Sequence, residues 1–221
     1  MLDIDWKTAG SLFINGDCME YMKTMPDKCV ELAICDPPYG IGITDSGRLG
    51  RYNANALRWD DAVPSKSYFD ELFRISKNQI IWGGNYFYLP PTRGFIIWDK
   101  KQPQGVSFAS CEFAWTSFDT SAKTFYLSPM NMDEMRIHPT QKPIALYKWL
   151  LTNYARPGDK ILDTHVGSAS SLIACHQLGF QYWGFELDPD YYQAASERLE
   201  RAKAQVSMLD IAPEAVEQLG I

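Results

Sequence analysis

The apolar positions of the chain follow two spacings, and its second half alternates between them. "DKILDTHV" (159–166) reads as a strand and "SASSLIACHQLGF" (168–180) as a helix. "QYWGFELD" (181–188) is again a strand and "PDYYQAASERLERAKAQ" (189–205) again a helix. This β-α-β-α series is the unit of a doubly wound, mostly parallel sheet. Just before it, "PIALYKWLLTNYA" (143–155) predicts an amphipathic helix, with Pro143 in its first turn and Pro157-Gly158 beyond its end. In the first half, "SLFING" is a short strand, "DCMEYMKTMP" a short helix closed by Pro26, and "VELAICD" a buried strand. "YFDELFRISK" has helical spacing at Phe69, Leu72, Phe73 and Ile75. "QIIWGG", "GFIIWDK" and "CEFAWTSF" are β-rich runs separated by breakers. Two stretches follow neither spacing, 40–66 and 119–137. Long irregular segments in a compact domain usually carry function.

With 221 residues, 46% of them hydrophobic, the chain suits one domain over 1–221 with a real core. No apolar run is long enough to span a membrane, and the start "MLDIDWKTAG" does not resemble a secretory signal. A cytoplasmic protein is expected. Cys18, Cys29, Cys35, Cys111 and Cys175 are scattered without a CxxC pair, so reduced thiols and no metal site are expected. The net charge of −6 taken alone argues against nucleic acid. From Gly40 to Gly105, however, nine Lys/Arg face six Asp/Glu, a local +3. Ordinary surface scatter explains this about as well as a polyanion partner does.

Three groups of residues could carry chemistry. In "CDPPYG", Asp36 ends an apolar run, and Pro37 and Pro38 cannot donate to a sheet ladder. A carboxylate beside a proline carbonyl offers two acceptors for the hydrogens of one amino group. Tyr39 adds a flat face for a planar heterocycle. The competing view is a Pro-Pro turn with a capping aspartate. Next, Asp163 ends one strand, Gly167 and Ser168 lie in the following turn, and Glu186 ends the next strand about twenty residues on. An acid there suits ribose hydroxyls. The absence of GxGxxG favours a nucleoside cofactor without a pyrophosphate, or else acids that merely cap turns. Finally, "HPTQKP" (138–143) sets Thr140, Gln141 and Lys142 before a helix start. It suits a carboxylate or is a Pro-stiffened loop.

Together, and in this order, these motifs resemble the S-adenosylmethionine-dependent amino-methyltransferases of DNA, in their circularly permuted beta group. The resemblance covers about Ser11 to Lys203. It implies a Rossmann-like methyltransferase fold with a mostly parallel seven-stranded sheet. It implies that Asp36 and the Pro37 carbonyl orient the target amine and that Tyr39 stacks on a flipped base. Asp17 and Cys18 then meet the cofactor's adenine, Thr140, Gln141 and Lys142 its methionine end, Asp163, Gly167 and Ser168 its turn, and Glu186 its ribose. Where the family's turn resembles DPFxGSGT, this chain has "DTHVGSAS" (163–170), with His165 for an aromatic and Ala169 for a glycine. An intact DPPY points to adenine N6 in double-stranded DNA. Cytosine N4 is the alternative, followed by a catalytically inactive nucleic-acid-binding module. The segment 40–68 is expected to be a mobile loop near the active site, with Arg48 and Arg51 meeting phosphates. The segment 119–137 is a small candidate target-recognition region, short enough to suggest help from a second subunit in a homodimer.

Overall fold

Strand β2 (Val30–Cys35) sets the architecture, because it is apolar on both sides. Such a strand must be covered on both faces. Leu32 and Ile34 face a cluster that includes Leu146, Leu150, Leu172 and Leu199. Ala33 and Cys35 face a second cluster that includes Met22, Leu72 and Ile75. The same division repeats on β3 (Ser76–Trp82), β7 (Lys160–Asp163) and β8 (Gln181–Glu186). Helices α1 (Cys18–Met22) and α2 (Lys66–Ile75) supply one layer. Helices α3 (Ile144–Tyr154), α4 (Ser170–Gln177) and α5 (Pro189–Ala204) supply the other. Strands β1 (Leu12–Asn15), β4 (Phe95–Asp99), β5 (Cys111–Thr116) and β6 (Lys123–Tyr126) complete the sheet. The computed structural model describes residues 2–42, 60–103, 105, 109–129 and 136–205.

The sheet order is β1-β8-β7-β2-β3-β5-β4-β6, mostly parallel as expected. β5 alone runs against its neighbours β3 and β4. Among the described residues the sheet has eight strands, one more than the seven expected. The additional strand β6 lies inside 119–137 and pairs in parallel with β4, from Ile96↔Lys123 to Asp99↔Tyr126. It is short and largely exposed, so it lacks the apolar run that marks an interior strand. The helix expected over 68–77 also differs. α2 stops at Ile75, and Ser76 is already extended and paired with Val30. The Ser76 hydroxyl closes the helix by donating to the Leu72 carbonyl at 2.5 Å. Pro143 precedes α3 as its N-cap. No helix among the described residues is long and apolar enough to cross a membrane.

Candidate active site

Because seven strands point one way, their carboxyl ends share one edge of the sheet. There β2 leads into Asp36, β1 into Asp17, and β7 and β8 end at Asp163 and Glu186. Ligands of open α/β sheets bind at this edge, where the strand order reverses. A cleft of about 1380 Å³ opens over it, roomier than the ~300–1,000 Å³ of a single-ligand pocket. Antiparallel β5 reaches the same edge with its beginning. Trp98↔Glu112 and Asp99↔Cys111 are in register, so Glu112 lies beside the end of β4.

Asp36 is held on both oxygens. Tyr39 donates its hydroxyl to Oδ1 at 2.6 Å, and the Lys142 ammonium bonds Oδ2. Burial, followed by the charge of Asp36, pushes the Tyr39 phenol well above its usual range, so it stays a donor. Lys142, with a side chain only 2% exposed, also lies 3.0 Å from Glu112 Oε2. That contact is an ion pair without hydrogen-bond alignment. Glu112 Oε1 takes the Lys100 ammonium at 2.6 Å. Burial works against the Lys142 ammonium, but Asp36 and Glu112 outweigh it and hold its pKa above the ordinary value. Burial likewise penalises the Glu112 carboxylate, yet Lys142 and Lys100 keep its pKa below the usual one.

The DPPY backbone has its own support. Asp60, 1% exposed, accepts from the Tyr39 amide at 2.8 Å and the Gly40 amide at 2.9 Å through Oδ1. Its carbonyl accepts from the Gly42 amide at 3.3 Å. The Tyr39 ring stacks on Tyr86, with centroids 5.1 Å apart and planes 15° apart. It packs so close to Gly83 that a Cβ there would lie 2.2 Å from Cε1. Gly83 also has φ +68°, a backbone that side-chain-bearing residues avoid.

The other end of the cleft presents the groups that suit a nucleoside. Glu186 Oε2 accepts from the Gly167 amide at 2.8 Å and Oε1 from the Asp188 amide at 3.0 Å. Each oxygen retains a lone pair for a hydroxyl. Burial pushes the Glu186 carboxyl up. Asp17 caps α1 by accepting from the Met19 amide at 2.8 Å and lines the cleft beside buried Cys18. Acid acceptors at the carboxyl ends of the paired strands β1 and β8 fit the hydroxyls and amine of an adenosyl group. Ser168 lines the cleft, with its carbonyl taken by Arg198 at 2.5 Å. His165 fills the position of the missing aromatic. It also lines the cleft, edge-on to Tyr68, and burial lowers its pKa to about 4, so it is neutral.

Two expected residues sit differently from their sequence reading. Asp163 does not line the cleft; it lies beneath it, accepting from Ser171 Oγ at 2.5 Å and the His165 amide at 3.0 Å. Burial raises its pKa to about 7. Lys142 turns toward Asp36, while Thr140 and Gln141 organise their own loop. The Thr140 hydroxyl is 3.1 Å from His138 Nδ1, and Gln141 Oε1 accepts from the Ile137 amide at 3.0 Å. Arg48 and Arg51 lie outside the described residues, as do 43–59 of the expected loop and 130–135 of the expected recognition segment. Within 40–68, residues 66–68 open α2. Sequence reasoning missed Asp60, Lys100, Glu112 and Tyr86. Of these, only Asp60 carried a usable signal, as an acid that follows Trp59 within the irregular stretch 40–66.

Comparison with known proteins places this geometry in context. A family model described as a DNA methylase matches residues 81–197. The protein YubD of Escherichia coli (strain K12) is 27% identical over 213 residues, 86% of this chain and 90% of its own. The type II methyltransferase M.HinfI of Haemophilus influenzae is 24% identical over 257 residues, 90% of this chain and 70% of its own. A solved M1.HpyAVI-SAM complex superposes with a TM-score of 0.56 at 21% identity, over 85% of this chain and 98% of that one. The cytosine-N4-specific PvuII DNA methyltransferase superposes with a TM-score of 0.61 at 13% identity, over 89% and 91%. At these identities the structural likeness is one of fold.

Proposed function

The chain belongs to the DNA methylase family of N6/N4 amino-methyltransferases, and we propose that it methylates the N6 amine of adenine in double-stranded DNA with S-adenosylmethionine as donor. One observation carries this reading. A single cleft joins the Asp36-Pro37 acceptor pair to the Glu186 turn, which sets an amine-binding end against a nucleoside-binding end. The preference for adenine rests on aspartate at the head of DPPY, where related cytosine-amine enzymes more often carry serine.

When bound, the cofactor supplies an electrophilic methyl group on a sulfonium. Glu186 is proposed to accept its ribose hydroxyls and Asp17, beside Cys18, its adenine amine. Thr140 and Gln141 hold the loop at its methionine end, and Gly167 and Ser168 shape the turn. The target base must leave the duplex, because its amine is otherwise paired and out of reach. Asp36 and the Pro37 carbonyl then accept the two amine hydrogens, which localises the nitrogen lone pair for attack. Tyr39 steadies both partners: its ring packs beside the base and its hydroxyl fixes Asp36. Pro38 keeps the loop rigid. Catalysis of this kind is positioning and electrostatics. Arg48 and Arg51 are proposed to meet phosphates, so Arg48→Ala or Arg51→Ala should flatten the salt dependence of DNA binding by about one unit of slope per contact.

The deciding experiment maps modified bases in DNA from cells expressing the chain, with an Asp36→Ala control. N6-methyladenine that disappears in the control is expected. N4-methylcytosine in its place would move the enzyme to the cytosine class. The absence of both modified bases would refute amino-methyl transfer.

A further inference from the structure

A flipped base is read along its Watson–Crick edge. Adenine and cytosine present the same two groups there: the target amine and, next to it, a ring nitrogen with a lone pair. Guanine and thymine present an oxygen and a ring N–H instead. Asp36 and the Pro37 carbonyl suit the amine. Tyr39 bonds one oxygen of Asp36 and Lys142 the other, and each oxygen retains a lone pair for an amine hydrogen. These acceptors leave the ring nitrogen without a donor.

Lys142 is placed to be that donor. Its side chain is buried, yet it lines the cleft together with Asp36, Pro37 and Tyr39. Its Nζ bonds Asp36 Oδ2 and lies 5.8 Å from the centroid of the Tyr39 ring, beside which the base is to lie. An ammonium has three hydrogens, and Asp36 takes one. The Tyr39 hydroxyl oxygen is a long acceptor at 3.4 Å. Glu112 Oε2 is 3.0 Å away but out of line, and its partner oxygen is anchored on Lys100 at 2.6 Å. Two carboxylates thus hold the ammonium in place while a hydrogen is left for a substrate. We propose that Lys142 is a specificity-determining residue whose ammonium donates to the ring nitrogen beside the target amine, N1 in adenine or N3 in cytosine. The inference rests on the amino-transfer reading above and names its substrate class. Amino bases are admitted, and keto bases are rejected because their ring N–H would meet the ammonium donor against donor. The bond selects and orients the base. It does not activate the amine, since a donor at the ring nitrogen draws the amine lone pair toward the ring.

The test is a cycle of one residue against one atom. Duplexes carry adenine or 1-deazaadenine, which has C–H in place of N1, at the position found by mapping modified bases. Single-turnover methylation at subsaturating DNA is measured for wild type and Lys142→Met. The change of atom should slow wild type about tenfold or more relative to its effect on Lys142→Met. Intrinsic differences between the two bases, and general damage from removing Lys142, cancel in that ratio. A ratio near one overturns the proposal. For a cytosine target, 3-deazacytosine takes the same part. The second measurement follows the 15Nζ resonance of Lys142, assigned with Lys142→Arg, in wild-type protein saturated with S-adenosylhomocysteine. Adenosine should move the resonance and 1-deazaadenosine should not. A resonance that responds to neither, or equally to both, overturns the proposal. If Lys142→Met fails to fold or to turn over, the resonance decides alone. If wild type methylates neither adenine nor cytosine, the amino-transfer reading fails, and the resonance still judges the contact.

Discussion

Replacing Asp60 by alanine tests whether the catalytic motif is held from outside. Asp60 Oδ1 accepts from two successive amides, Tyr39 at 2.8 Å and Gly40 at 2.9 Å, in a site from which water is nearly excluded. Hydrogen bonds to a charged group contribute about 1.5–3 kcal/mol each. Losing both would cost roughly 3–6 kcal/mol if nothing relaxed. Truncation to alanine opens the buried site to the adjoining cleft, where water can replace part of the lost bonding, so about 3 kcal/mol is expected. At ~1.4 kcal/mol per factor of ten, hydrogen exchange at the Tyr39 and Gly40 amides should accelerate by about a hundredfold. Methyl transfer should slow by a similar factor, because the Asp36-Pro37 acceptors lose their fixed geometry. Cofactor affinity should hold, since Glu186 and Asp17 are supported independently. Asp60→Asn keeps an acceptor oxygen and should recover most of the loss. Amide exchange and transfer rates at wild-type levels in Asp60→Ala would refute the reasoning.

Other substitutions probe separate links. Tyr39→Phe removes the 2.6 Å donor to Asp36, so transfer should fall about ten- to a hundredfold with cofactor binding unchanged by calorimetry; a ring that served stacking alone would show a mild effect. Ala169 occupies left-handed backbone at φ +63°, so Ala169→Gly should raise stability in denaturant titration by about 1 kcal/mol. Burial lifts the Asp163 carboxyl to about 7, so the folded state binds its proton more tightly than the unfolded chain does. Its stabilising contribution is full below about pH 4 and is lost as pH rises through 7. The stability difference between wild type and Asp163→Asn should therefore move against wild type across that window. His138 and His165, whose folded pKa values lie near 4, act in the opposite direction and cancel in this difference.

The parallel half of the sheet was legible because burial on both faces writes continuous apolar runs, as in "VELAICD" and "QYWGFELD". Acids at the ends of such runs are costly unless used, which is why Asp36 and Glu186 could be singled out. The helix–strand junction at Ile75-Ser76 was not legible. "FRISK" keeps helical spacing, and only pairing with Val30 turns Ser76 into a strand. β6 escaped because an exposed edge needs no apolar pattern. Glu112 escaped for a topological reason. It opens a strand that runs backwards, so a residue at a strand start arrives where the other strands end. For Lys142 the position was legible but the contact was not. Its motif announces a helix start, while the partner, Asp36, is 106 residues away in sequence.

The bond from the Gly42 amide to the Asp60 carbonyl also has an engineering consequence. It brings the two ends of the intervening segment together at the rim of the cleft, and the Asp60 carboxylate fastens the same junction to the catalytic motif. A segment whose stems are already closed can change length cheaply, since doubling a loop costs only about 0.6 kcal/mol in closure entropy. The junction is thus a natural cassette boundary. Splicing sequences of different length between Gly42 and Asp60 retains the junction itself and the Asp60 carboxylate that supports the catalytic motif.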